Sequence, residues 1–227
     1  MFPHNHYSPP PPKPPPPPDR SLLIFNAVIR IGLVVLVAAA LWFVKVFLWP
    51  EHRLRHPPGI LAAADPIQKD VKPAKSWDVN GYHLTALATY SVEAEVLSKA
   101  RYYMGRECDL SPVDFALGWG RMSDQALLDK LDISQSGRWY NYHWDGAPPA
   151  AQSEITQHSA NTHLIPANSA IATQLLAVKP GSIVKMEGYL VSAIGSDGWS
   201  WVSSLSRDDT GNGSCEVMWV ESVSARE

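Results

Sequence analysis

Residues 21–49, SLLIFNAVIRIGLVVLVAAALWFVKVFLW, constrain this chain more than any other stretch. Ile31 to Val44 is apolar without interruption, and Val46 to Trp49 extends it past a single Lys45. A bilayer-spanning helix needs roughly 20 mainly apolar residues. A cleaved signal peptide would have a shorter apolar core ending in small residues, whereas this run ends in bulky LWFVKVFLWP. Trp42 and Trp49 fall toward one end, as in an interfacial aromatic belt. The stretch therefore predicts a retained transmembrane helix and a single-pass membrane protein.

On either side the composition changes abruptly. Residues 1–20 hold 10 of the 20 prolines, which favours extended polyproline II and a disordered tail with no core to build. Residues 50–76 carry five prolines and little periodicity, the signature of a juxtamembrane linker. Basic residues near the two ends of the run are balanced, so the positive-inside rule does not orient it. Two cysteines, both in the large segment, suit one disulfide in an oxidising compartment. Together with the short tail, they predict the tail inside and the C-terminal domain outside the cytoplasm.

Residues 77–227 form one domain-sized segment. It has 10 Lys and Arg against 18 Asp and Glu, a net of −8, and seven of the nine tryptophans. Nucleic-acid binding rests on neutralising phosphates, so a domain this acidic is a poor candidate for that class and no nucleic-acid partner is expected. Tyr90, Val92, Ala94 and Val96 alternate with polar residues as in a half-buried strand. Ser123 is placed to cap a helix carrying Leu127, Leu128 and Leu131, and GRWYNYHW (137–144) alternates aromatically as a strand. Asn168 or Ser169 would cap a second short helix over 170–178, stopped by Lys179-Pro180-Gly181.

The strongest β signal is C-terminal: SIVKMEGYLVSA (182–193), WSWVSSL (199–205) and SCEVMWVESV (214–223), separated by Gly/Asp turns. These predict an antiparallel meander. Gly188 inside the first run marks a bulge or bend, as at the corners of small barrels. The fold class expected is α+β and β-dominated: a transmembrane helix, then one domain with a meander of OB or SH3-like barrel size and two short helices.

Candidate chemistry is sparse. Asp209-Thr210-Gly211 matches the aspartic-protease triplet, but it has no second copy and sits in the polar turn RDDTGNG. HSANTHLIPAN (158–168) places His158, Asn161 and His163 close together, with His143 upstream. That spacing fits no metal motif, so neither metal nor cofactor is expected. In an extended segment Asn161, His163 and Ile165 would share a face, so one polar pair could line a groove. No G-x-S-x-G elbow, Ser–Lys signature or phosphate loop is present.

The strings SPVDFALGWGRMSD, ISQSGRWYNYHW, HSANTHLIPAN and DTGNGSCEVMWV resemble a family of uncharacterised bacterial single-pass membrane proteins. The resemblance implies a bacterial setting, hence the inner membrane with a periplasmic domain, and transfers no activity. The sequence thus points to a membrane-anchored envelope module that docks a protein partner or ligand through an aromatic face, and leans away from an enzyme without deciding it. His158, Asn161, His163, Trp199 and Trp201 are its candidate binding residues, and Cys108–Cys215 its expected disulfide. The alternative is a membrane-tethered envelope hydrolase using His158, Asn161 and His163, with or without a metal.

Overall fold

A computed structural model of the chain describes residues 20–43 and 53–227. The chain divides into two units, Met1–Pro50 and Glu51–Glu227. The proline-rich tail and the segment holding Lys45 and Trp49 lie outside the described residues.

The first unit contains one helix, α1 (Arg20–Phe43), with exposed apolar side chains. Among the described residues, no helix is long and apolar enough to cross a membrane. The transmembrane helix expected over 21–49 is corrected accordingly. The membrane partner, the single-pass inner-membrane location and the periplasmic domain rested on it and are corrected with it.

The second unit is mixed α+β and dominated by a large, mainly antiparallel sheet. Its organiser is β3 (Tyr82–Arg101), whose even-numbered residues from Tyr82 to Val96 are all buried. One edge of β3 pairs antiparallel with β8 (Ile183–Gly195), and the end of β3 pairs with β4 (Val113–Gly118). β4 pairs with β7 (Ser159–Pro166), β7 runs parallel to β10 (Glu216–Arg226), and β10 returns antiparallel to β8. The pairings β3-β4-β7-β10-β8-β3 therefore form a circuit. Short β1 (Ile67–Asp70) and β2 (Ser76–Val79) add to β3.

Strands this long close on themselves only if they bend, and extra residues supply the bends. The register of β3 shifts between Ala86 and Ala88 against β8, and between Val96 and Ser98 against β4. Gly188 lies where expected: a Cβ there would meet the Trp219 carbonyl oxygen at 1.9 Å, beside the shift between Val220 and Ser222. The C-terminal strands do not form a simple meander. β9 is only Ser200–Val202, and it shares one edge of β8 with β10.

The main core joins Val113, Phe115, Leu117, Leu164, Val184, Met186, Met218 and Val220, with Ile171 and Leu175 of α4 (Ser169–Ala177) packed on it. Asn168 caps α4, accepting from the Ile171 amide at 3.0 Å. The cap near residue 123 differs from expectation. Asp124 caps the four-residue α2 (Gln125–Leu128), while the Ser123 hydroxyl accepts from the Ala62 amide at 3.0 Å. Thus the stretch read as a linker is partly built into the fold, since Arg53 pairs with fully buried Glu95 and Ala62 is buried.

Cys108 and Cys215 are both free, which corrects the expected disulfide. Cys108 lies in the short turn 106–109, its thiol donating to the Tyr102 carbonyl at 3.2 Å. Cys215, just before β10, receives the Asn161 side-chain amide at 3.6 Å. Each thiol therefore has its own polar neighbour. Thiol titration of the denatured, unreduced chain should return two thiols, and native labelling should be slowest at Cys215; zero thiols would restore the bridge.

Candidate functional site

Strands β4 and β7 alternate, and the side chains facing away from the main core include Asp114, Asn161 and His163. Asp114 and His163 are direct cross-strand partners. Asp114 is fully buried, yet it sits in the otherwise apolar VDFALG strand. A buried carboxylate is costly unless it is paired and hydrogen-bonded. Here Oδ1 accepts from Arg138 Nη1 at 2.7 Å and from the Ser111 hydroxyl at 3.1 Å. Oδ2 lies 2.8 Å from His163 Nδ1, without the alignment of a hydrogen bond.

Arg138 comes from outside this circuit of strands. Strands β5 (Asp132–Ser136) and β6 (Trp139–His143) form a hairpin joined by Gly137-Arg138, with φ of 56° and 71°. Two positive φ values define the tight hairpin turn whose twist matches the strands. Arginine tolerates this region poorly, and its side chain explains why it is held there. The guanidinium binds Asp114, donates to the Ser111 carbonyl at 2.9 Å and lies 3.7 Å from the Tyr102 ring centroid. Its backbone amide donates to the Tyr102 hydroxyl at 3.1 Å. Burial pushes the Tyr102 phenol up to about 12, so it stays protonated.

Trp201 of β9 covers the opposite side, with its ring centroid 4.6 Å from that of His163. The result is an open cleft of about 630 Å³. Its floor is Arg138 and His163, its walls are Tyr102 and Trp201, and its rim includes Met104, Trp139 and Val202. Met104 is 87% exposed, Val202 52% and Trp139 44%, so the rim is apolar and open to solvent.

The candidate residues read from the sequence separate. His163 and Trp201 meet in this cleft. Asn161 lies behind it, tying the hairpin down: its amide donates to the Arg138 carbonyl at 2.9 Å and its oxygen accepts from Gln135 at 2.7 Å. His158 is not with them; its Nδ1 lies 2.8 Å from the Glu154 carbonyl, and its ring packs at Gly120. Trp199 packs on Tyr82 and on Arg106, which also grips Asp197 through two contacts. Sequence reasoning missed Asp114, Arg138 and Tyr102. The available signal was Asp114 itself, one acid inside an apolar strand.

A second, smaller cavity of about 170 Å³ lies beside the first, sharing Trp139 and Cys215. Glu216 and Arg207 line it in direct contact. Burial pushes the Glu216 carboxyl up to about 7 despite Arg207, and lifts the Cys215 thiol to about 11. A thiol so raised is a poor nucleophile at neutral pH. Among the described residues, no group of three or more His, Cys, Asp or Glu could hold a metal ion. The Asp209-Thr210-Gly211 turn lines this cavity, with Asp209 accepting from the Ser204 hydroxyl at 2.6 Å. No family model, curated protein or solved structure matches the chain.

Two outcomes are expected. Arg138→Ala leaves Asp114 buried without its cation and should lower unfolding stability by about 3–5 kcal/mol, measured by urea denaturation. Glu216 holds its proton more tightly folded than unfolded, so its contribution is complete below its ordinary pKa and is lost as pH rises through about 7. Glu216→Gln should therefore lose less stability than the wild type between about pH 5 and about pH 8.

Proposed function

We propose that residues 53–227 form an OB-type barrel acting as a binding module for an extended segment of a partner protein. Three features of the circuit support this barrel type: five strands, one parallel contact between its third and fifth members, and a helix between the third and fourth. Such barrels bind on the face of their second and third strands, flanked by the loops after the first and fourth. In this chain those strands are β4 and β7, and the loops contain Tyr102, Met104 and Asn212.

The observation that carries the proposal is the contrast between floor and rim. Arg138 is fixed by buried Asp114 and buried His163 lies beside them, whereas Met104, Trp139 and Val202 present apolar side chains to solvent. A pre-organised floor with aromatic anchors at its edge suits recognition at low entropic cost. The net charge of −8 over 77–227 disfavours the oligonucleotides that other barrels of this kind take. Hydrolysis lacks support, because His158 is turned away and the Cys215 thiol stays protonated.

Peptides selected from a random display library on the full chain provide the test. Their affinity should fall at least about tenfold with Trp201→Ala and with Met104→Glu, and not with Ile67→Ala on β1. Binding indifferent to both cleft substitutions would overturn the proposal. So would single-stranded oligonucleotides that bind more tightly than any selected peptide.

A further inference from the structure

The smaller cavity has a chemistry that the cleft lacks. One wall is aromatic, from Trp139, Tyr140 and Tyr142 of β6. The facing wall is polar: Asn161, Arg207, Asp209, Ser214 and Glu216 among its lining. Glu216 is 1% exposed, and one of its oxygens is taken by Arg207. Its other oxygen, Oε2, has no hydrogen-bond partner among the described residues, nor does Arg207 Nη2. Buried polar groups are nearly always satisfied, so these two together on one cavity lining indicate that the place is completed by something else.

Charge narrows what that is. Two carboxylates, Asp209 and Glu216, oppose an anionic ligand. Arg207, already neutralising Glu216, opposes a cationic one. A neutral group that both donates and accepts, with an apolar face for the aromatic wall, meets every condition. Adjacent hydroxyls on a sugar ring do this: one donates to a carboxylate, its neighbour accepts from a guanidinium, and the ring's C–H face lies on an aromatic. The volume limits the occupant to about one ring.

We propose that this cavity is a binding site for a single neutral pyranose unit, seated between the β6 aromatic wall and the Glu216–Arg207 pair. The site is separate from the peptide cleft, touching it only through Trp139 and Cys215.

The test is a panel of methyl pyranosides of glucose, galactose, mannose and N-acetylglucosamine added to the full chain. Binding is read by saturation-transfer NMR and by quenching of tryptophan emission. At least one should bind with a Kd in the millimolar range or below, as expected for one monosaccharide. Glu216→Gln, which keeps the side-chain volume, should weaken it at least about tenfold. Trp139→Ala, at a half-exposed position that can change without unfolding the chain, should do the same. Met104→Glu, which disables only the cleft, should leave sugar binding unchanged, so failure of one site is distinguishable from failure of the other. The proposal is overturned if no pyranoside gives a signal, if binding ignores both cavity substitutions, or if crystals grown with the sugar hold only ordered water beside Glu216.

Discussion

The fold depends on one strand that pairs with both of its neighbours in the circuit. β3 runs twenty residues and pairs with β8 along most of its length and with β4 at its end. A sheet of this size has edges unless it closes, and unpaired edges invite pairing with other chains. The register shifts in β3, together with Gly188 opposite β10, supply the curvature that lets the pairings return to their start. Closure also fixes which residues face out on β4 and β7, and hence where a binding surface could form.

That surface is held by electrostatics, not by apolar packing. Asp114 is fully buried, and its cost is offset by Arg138 and Ser111, with His163 against its second oxygen. The same contacts anchor the β5–β6 hairpin, because Arg138 belongs to its turn. Asn161 and Gln135 fasten the hairpin a second time. One buried carboxylate therefore links three parts of the chain distant in sequence: the loop before β4, the hairpin and β7. A second acid, Glu216, is also buried, with Arg207 in direct contact, and burial raises its carboxyl pKa.

Local pattern made some of this legible. Alternation in Tyr90 to Val96, the Asn168 cap and the bend at Gly188 are short-range signals, and each appears in the structure. The C-terminal runs were legible as strands, but their partners were not. The parallel contact of β7 with β10 joins segments some fifty residues apart, and nothing in either segment encodes it. His163 and Trp201 were legible as candidates, whereas Arg138 was hidden because its role arises from a turn folded over another strand. Free cysteines were misread for the same reason. Their number suggested a bond, but only the fold assigns each thiol its neighbour.

The β7–β10 contact has a consequence for how the protein is made. On a ribosome, β3, β4, β7 and β8 emerge before β10, yet β10 is the strand that seals the circuit between β7 and β8. Until it arrives, the facing edges of β7 and β8 stay open and the core lacks Met218 and Val220. Sequence-distant pairings of this kind form slowly and leave aggregation-prone edges exposed meanwhile. The nascent chain is thus most vulnerable in the interval between synthesis of β8 and release of β10, a window in which a chaperone that covers strand edges would matter most.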